Sequence, residues 1–532
     1  MAEDFLYWLL WLSPALAAVP AAKGLIHLFQ LGSYQFGGYF LSLKRRWKLE
    51  LLPGLVLSAV SFALCIGADY FSRLTGTWML ALGALLTGLA GLITGKLVHR
   101  RTKSLKHLSY TPRVQRLAAS LSLVMLFLAF LLRRLVPVMG LSALLPMLSF
   151  LWLTLAALIA LPVEEMIKAL YQRDAMNMLN RQKGLIRIGI TGSYGKTSVK
   201  FFLDTLLKQR YSVLATRGSF NTPMGLTRVI REDMQPDHRV MLAEMGARHR
   251  GDIKQLCRMV KPQIGILTAV GPQHLETFGT IERVRETKYD LIRSLPKDGF
   301  AVFYNDGAIV RELYDKTGAV AKAIVGGVGD DAWAEDVISG YEGSSFTLCF
   351  QDGTRIPCKT ELIGEHNIGN VLLAAITARH LGLTDTQLKR GIASLEAVEA
   401  RMKPEKQPDG SILINNAFNA NPQSSRASLK LLSGFPGRKI LVTPGYVELG
   451  AQEETFHRAF GENIARVADV VLLIGARHTL PIREGMIAGG FEEGNIHTFP
   501  GFTQARAYLD SICGEGDVIL YENDLPDQYS EG

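Results

Sequence analysis

The sequence predicts a multi-pass α-helical membrane domain followed by two α/β domains, and two observations carry that reading. Five long stretches without a charged residue crowd into the first third of the 532 residues. Beyond about residue 184 the composition changes to short β-branched runs alternating with helical periods, the pattern of parallel sheets covered by helices. The length leaves room for three or four domains, each with a core of its own.

The apolar stretches run from Phe5 to Ala22, Leu51 to Ala68, Trp78 to Gly95, Leu117 to Leu132 and Leu135 to Val163. Each approaches the roughly 20 residues that carry a helix across about 30 Å of hydrocarbon. A signal peptide is the poorer reading of the first, because Met1-Ala-Glu-Asp lacks the basic start such a peptide has. Lys44, Arg45, Arg46 and Lys48 follow the first span; Lys96, Arg100, Arg101, Lys103, Lys106, Arg113 and Arg116 follow the third. Basic residues are retained on the cytoplasmic side, so these two connections are read as inside. The loop after span two holds only Arg73, and Arg133 and Arg134 after span four leave that side the less basic one. The expectation is a multi-pass protein of the inner (cytoplasmic) membrane, amino terminus outside, with everything beyond about residue 163 in the cytoplasm. The net charge of +9 is partly this topology signal, and no nucleic-acid partner is expected. The five cysteines form no CxxC pair and have no histidine at zinc spacing, so free thiols are expected.

In the second part "LIRIGI" (185–190), "VMLAEM" (240–245), "IGILTAV" (264–270), "KILVTP" (439–444) and "VVLLIG" (470–475) read as buried strands. Several end at polar or glycine-bearing turns, where open α/β sheets place their sites. "EARMKPEKQPDGSI" (399–412) interrupts the periodicity with two prolines and several charges and reads as a domain boundary. The expected domains are 1–165 in the membrane, 184–404 and 405–532.

The first of these strands leads into "GITGSYGKTSVK" (189–200) and then the amphipathic run "VKFFLDTLLKQ". Strand, glycine-bearing loop and helix start form a phosphate-binding context: backbone N–H groups favour the anion, a lysine neutralises phosphate oxygens, and a hydroxyl reaches magnesium. Gly192, Ser193, Gly195, Lys196, Thr197 and Ser198 are the candidate nucleotide-binding residues. Ile190 stands at the first glycine position of the full motif, so a purely structural turn stays open as the alternative.

"TGSYGKTS" resembles the ATP loop of the Mur ligase family, cytoplasmic enzymes that build the peptide of bacterial cell-wall precursors. "AEMGARHRGDI" (243–253), "TAVGPQHLETFGTIERVRETK" (268–288), "LIGEHNIGNVLLAA" (362–375) and "NAFNANP" (416–422) follow in family order over roughly 350 residues and are similar to motifs of its D-alanyl-D-alanine-adding branch. The resemblance implies a P-loop central domain, a Rossmann-like carboxyl-terminal domain, and ATP with two Mg2+ ions. It assigns Thr197, Glu244 and His274 to the metals, and Lys196, His274 and Lys288 to catalysis, with Lys288 open to carbamylation. It puts Asn367, Asn370, Arg401 and Asn416 at the nucleotide, and Asn221 and Thr222 near the acceptor substrate. Taken alone, Glu244 at a strand end can face a nucleotide, and each residue keeps a plainer alternative: Glu244 a satisfied strand-end charge, His274 a structural histidine, Lys288 a solvated helix lysine, the asparagine pair a helix cap, and Asn221 part of an ordinary turn.

The implied reaction is amide formation through an acyl phosphate, joining an amino acid or a dipeptide such as D-alanyl-D-alanine to the carboxylate of a cell-wall precursor. Three departures bear on the substrates. The family's aspartates before "NANP" are replaced by Asn415 and Asn416, and Glu522 stands where the family has a lysine. Five spans occupy the place of the family's uridine-diphosphate-binding domain, which makes a lipid-linked precursor, held against the bilayer by spans or basic loops, one reading of the acceptor; loops that only fix topology are the other. An ATP-driven transporter and an inactive scaffold with the ligase fold are the rival functions.

Overall fold

The structure is a computed structural model. It describes every residue except 1, 33, 102–107, 137, 139, 341, 399–401, 418–419 and 523–532, and omits the side chains of 45, 46, 49 and 98–101. The chain divides into two compact units, one reaching Ala169 and the other starting at Leu170.

The first unit is helical, and five of its helical segments are long and apolar enough to cross a membrane: Ala2–Leu31, Glu50–Thr75, Trp78–Leu97, Pro112–Leu135 and Leu141–Arg181. Close approach of the helices rests on small residues, as lipid-exposed bundles require. A Cβ added to Gly91 would fall 2.5 Å from the Ala17 carbonyl oxygen, and one on Gly95 2.5 Å from that of Pro20. Trp11 Nε1 donates to the Ala129 carbonyl at 2.7 Å and Ser120 Oγ to that of Ala156 at 2.9 Å. One expectation is corrected here. The basic residues after the first span do not form a loop but lie within a continuous helix, Phe36–Thr75. Leu, Lys, Arg and Glu around them are strong helix formers, so the polar segment extends the helix of the next span. The last span likewise runs on through Arg181, and the division between the two units falls inside that helix.

The second unit holds two sheets. The strands of the larger one are β1 (Ile186–Thr191), β2 (Val213–Ala215), β3 (Val240–Glu244), β4 (Ile264–Leu267), β5 (Phe300–Tyr304), β6 (Ala321–Val325), β7 (Ala332–Gly340), β8 (Gly343–Phe350) and β9 (Arg355–Thr360). Their order is β2-β3-β1-β4-β5-β6-β7-β8-β9. The strands from β2 through β7 pair in parallel, and β8 and β9 close the edge antiparallel. The order reverses at β1, which has β3 on one side and β4 on the other. Such a switch point opens a crevice beyond the strands' carboxyl ends, and the glycine loop issues there.

The smaller sheet contains β10 (Lys403–Lys406), β11 (Ile412–Asn416), β12 (Lys439–Thr443), β13 (Val470–Ile474), β14 (Ile496–Phe499) and β15 (Val518–Glu522), in the order β10-β11-β15-β12-β13-β14. Only β10 is antiparallel. The last strand inserts between β11 and β12, and its register sets Asn416 beside Glu522. The five strands read from the sequence are β1, β3, β4, β12 and β13. Their interiors are fully buried, Ile188, Leu242, Ile266, Leu441 and Leu472 among them.

Candidate active site

The glycine loop links β1 to the helix Lys196–Leu207, whose apolar face (Val199, Phe202, Leu203, Leu206) packs into the core beneath the sheet. Gly195 caps that helix at φ 76°, and a Cβ there would lie 2.5 Å from Asn370 Oδ1. A Cβ on Gly192 would fall 1.9 Å from Thr268 Oγ1. These positions therefore need glycine on packing grounds alone. Ser193 ties the loop to the turn after β4: its N–H donates to the Ala269 carbonyl at 2.7 Å, and its Oγ donates to the Gly271 carbonyl at 2.9 Å. Ser198 lies in the first turn of the helix.

Two lysines meet at this loop. Lys196 Nζ donates to the carbonyls of Gly192 (2.7 Å) and Ser193 (3.2 Å), and Lys288 Nζ donates to Gly192 at 2.8 Å. Lys288 comes from the helix Ile281–Arg293 and is buried. Burial, and then the charge of Lys196, push its amine well below the usual lysine range. The solvated-lysine alternative therefore does not hold.

Glu244, at the end of β3, is 1% exposed. Its Oε1 accepts from Thr197 Oγ1 at 3.2 Å and from Asn221 Nδ2 at 3.1 Å, and its Oε2 from Lys200 Nζ at 3.1 Å. The convergence of Glu244 and Thr197 oxygens is the hard-donor chemistry a magnesium ion takes. The Tyr194 hydroxyl in the same loop is buried with no partner among the described residues, a polar group left for a ligand to meet. The residues thus fit a nucleotide phosphate with its metal. Lys200 was not foreseen; its one sequence cue is a cation four residues after Lys196, on the same helix face.

His274 follows β4 and takes a left-handed conformation, φ 53°. Its Nδ1 forms a short hydrogen bond with Glu448 of the smaller-sheet lobe, a residue also left-handed at φ 63°. Glu276 N–H donates to the Glu448 carbonyl at 3.1 Å, and Arg248 lies 3.6 Å from its carboxylate. Burial lowers His274 below the usual imidazole range although Glu448 works the other way. Burial raises Glu448, but the His274 hydrogen bond together with the charges of His274 and Arg248 outweighs it and holds the carboxyl below its usual range. A carboxylate on Nδ1 leaves Nε2 as the nitrogen for a metal, the arrangement that orients histidine ligands. The turn bearing Glu448 is itself anchored: Tyr446 N–H donates to His457 Nε2 at 2.8 Å, and the Tyr446 carbonyl meets His478 Nε2 at 2.7 Å. Glu453, His457 and His478 cluster closely enough to resemble a metal site, but these ring nitrogens serve the turn.

The remaining candidates divide. Asn221 reaches Glu244, as above. Thr222 caps the helix Pro223–Asp233, accepting from Gly225 N–H at 3.2 Å. Asn370 faces the loop at Gly195, whereas Asn367 donates to the Ile363 carbonyl at 2.9 Å. Arg401 lies outside the described residues. Asn416 sits in the other lobe and donates to both oxygens of Glu522, at 3.1 and 3.0 Å. Glu522 is fully buried and also accepts from Ser425 and, at 2.6 Å, from Ser428. Burial pushes it up to about 7 against those hydrogen bonds. Asp306, after β5, is raised to about 6 by burial, opposed by Gln423. Glu448, Ser425, Ser428 and Asp306 carried no motif that sequence reading could use.

Residues 190–378 match the Mur ligase middle domain, and residues 400–521 match the Mur ligase glutamate ligase domain. The UDP-N-acetylmuramoyl-tripeptide–D-alanyl-D-alanine ligase of Bacillus subtilis (strain 168) is 30% identical over 343 residues, spanning 63% of this chain and 72% of the relative. The ligase of the same name from Mycobacterium tuberculosis (strain ATCC 25618 / H37Rv) is 32% identical over 359 residues, 63% of this chain and 70% of its own length. Among solved structures, the MurF ligase from Thermotoga maritima in complex with ADP superposes with a TM-score of 0.60 at 27% identity, covering 68% of this chain and 82% of that one.

Proposed function

The chain belongs to the Mur ligase family of ATP-dependent ligases, and from that premise we propose that it forms an amide bond at a membrane through an acyl phosphate. Its substrates in this reading are ATP, a cell-wall precursor with a free carboxylate, and an amino acid or dipeptide, D-alanyl-D-alanine included. The convergence of Lys196, Thr197, Glu244 and Lys288 on one loop carries the proposal. The ligase domains are taken as 184–404 and 405–532.

A substrate carboxylate oxygen attacks the γ-phosphorus of ATP, and the bond to the β–γ bridging oxygen breaks, giving an acyl phosphate and ADP. The amine then attacks the acyl carbon, the phosphate leaves, and the nitrogen loses its proton. The first step brings two anions together, so its barrier is set by positive charge held in place beforehand. Lys196 supplies that charge at the loop. Mg2+ ions bound by Thr197, Glu244 and His274 would neutralise phosphate oxygens. The loop N–H groups at the start of the helix Lys196–Leu207 orient the phosphates. Asn370 and Asn367 in this reading lie toward the nucleotide and Asn221 toward the acceptor. Burial holds the Lys288 amine well below the usual lysine range, which favours the uncharged form that adds to carbon dioxide with loss of a proton. The resulting carbamate would carry negative charge beside the loop.

The five apolar helices and the basic residues between them support a reading in which the protein sits in the cytoplasmic membrane, amino terminus outside and ligase lobes inside. They also favour a lipid-linked acceptor. The test is phosphate release by the full-length protein in detergent, with single amino acids and D-alanyl-D-alanine crossed against lipid-linked and nucleotide-linked peptide acceptors. Mass spectrometry identifies the product. An amide on the lipid-linked acceptor is expected. ATP hydrolysis that drives uptake without any amide product would overturn the ligase reading, and product on the nucleotide-linked acceptor alone would overturn the lipid-linked one.

A further inference from the structure

The helical unit contains one corner where charge, aromatic surface and backbone strain coincide. The turn between the helices Lys23–Leu31 and Phe36–Thr75 carries Tyr34 at φ 60°. A tyrosine in the left-handed region is strained, and such strain persists where the surroundings fix it. The Tyr34 ring packs edge-on against Phe29, which meets Phe36 and Tyr39 in the same way. Over that ring, 3.9 Å from its centroid, lies the guanidinium of Arg113.

Arg113 belongs to the helix Pro112–Leu135 and shares one carboxylate with Arg116. Arg116 holds Glu164 with two bonds, 2.6 and 3.0 Å, whereas Arg113 approaches the same group at only 3.6 Å. Two cations on one anion leave a positive charge, and the looser partner is the one with its ring platform. Arg113, Tyr34 and Glu164 line a shallow cleft that is open to its surroundings. Its other walls are hydrocarbon, with Phe29, Leu117 and Leu161 among them, and its floor includes the small residues Ala157 and Ala160. A cation at the rim of an apolar pocket selects an amphiphile with an anionic head. A guanidinium fixed on an aromatic face keeps its N–H edge for a planar or tetrahedral oxyanion.

We propose that this pocket binds the phosphate end of a single-chain lipid phosphate, with Arg113 on the phosphate and the apolar wall on the first carbons of the chain. The proposal rests on the reading of a lipid-linked acceptor, and it names the phosphate ester as the feature by which that acceptor is held. An ordinary bilayer phospholipid offers the same phosphate on a two-chain glycerol, and inorganic phosphate offers it with no chain.

The test is binding of a long-chain polyprenyl monophosphate to the full-length protein in detergent, followed by native mass spectrometry and by competition. Inorganic phosphate, the corresponding polyprenol and phosphatidylglycerol are the comparison arms. Polyprenyl phosphate is expected to bind at least tenfold tighter than each of them. Arg113→Gln should weaken it about tenfold at unchanged thermal midpoint, Arg113→Lys should retain most of it, and Ala160→Phe should block it by filling the floor. Should Arg113→Gln fail to fold, Ala160→Phe and Arg113→Lys decide. Equal binding of phosphatidylglycerol or inorganic phosphate, or undiminished binding in the folded Arg113→Gln and Ala160→Phe proteins, would overturn the pocket. The two readings fail separately: turnover of a lipid-linked acceptor with an indifferent Arg113 sinks only the pocket. Tight polyprenyl phosphate binding by a protein that uses only nucleotide-linked acceptors sinks only the acceptor reading.

Discussion

Each lobe of the ligase unit buries one carboxylate at the carboxyl end of a parallel strand, and the two are held in opposite ways. Glu244, at the end of β3, is met by a buried lysine as well as by Thr197 and Asn221. Glu522, at the end of β15, is met only by the neutral donors Asn416, Ser425 and Ser428, and no lysine, arginine or histidine pairs with it among the described residues. The first arrangement suits a site that exchanges one cation for another, since Lys200 can give way to a metal without leaving Glu244 bare. The second keeps a carboxylate whose ionisation is offset only by hydrogen bonds from neutral donors. In the larger-sheet lobe, the residues that resemble the family's ATP site are brought together. In the smaller-sheet lobe, the departures at Asn416 and Glu522 prove to be neighbours in register. They form one coupled change within that lobe.

The comparison breaks most sharply if Glu244 is made to resemble Glu522. Lys200→Met removes the buried cation at similar volume, and breaking a buried pair in this way costs about 3–5 kcal/mol. Denaturant unfolding of the full-length protein should show that loss without nucleotide and a substantial recovery with Mg2+ and ATP, which supply the missing positive charge. A loss indifferent to Mg2+ and ATP would mean that Lys200 is only a packing residue.

Lys196→Ala comes next. It leaves Glu244 untouched and removes the charge aimed at the transferring phosphate, so turnover should fall about 10²–10³-fold. Nucleotide binding should weaken much less, because the loop N–H groups remain. Phosphate release and ATP binding on the same preparation separate the two, and equal losses would show that Lys196 acts in binding alone.

These two lysines also mark the limit of what the sequence reveals. Lys196 sits in a loop whose order of residues is itself the signal, and the strands leading to it are legible as uninterrupted apolar runs. Lys200 has no such signal: it lies among apolar neighbours, and its partner is 44 positions away. Glu448 is legible only through a fold that brings it 174 positions back to His274, and Ser425 and Ser428 only through the insertion of β15 beside β11. The basic segment at Lys44–Lys48 misled for the opposite reason. Its charge reads as a topology signal, but charge does not end a helix, and nothing there breaks Phe36–Thr75.

Glu448→Gln tests whether the smaller-sheet lobe reaches into the chemistry of the larger one. Glutamine keeps the shape and loses the charge that fixes His274, so metal affinity should drop about 10–100-fold. The measurement is Mg2+ dependence of nucleotide binding, with thermal unfolding as the control. An unchanged Mg2+ requirement would reduce Glu448 to a contact between lobes.

The smallest effect concerns Glu522, and its sign follows from linkage. The folded group titrates near 7, above the unfolded value of about 4.3, so the folded state binds its proton more tightly. The stabilisation is complete below the unfolded value and disappears as pH rises through about 7. Between pH 5 and 8 the loss amounts to about 2 kcal/mol. The groups facing Glu522 are Asn416, Ser425 and Ser428, with Tyr446 nearby and still protonated in that range because burial raises it well above its usual value. Glu522→Gln should flatten this part of the pH–stability curve, and it should gain relative stability at pH 8 while losing it at pH 5. A slope that persists in the variant would assign the titration to another buried acid, with Asp306, raised to about 6, the first to replace. A flattened slope would establish that the smaller-sheet lobe carries an unpaired carboxylate that ionises at a cost, in contrast to Glu244 with its buried lysine.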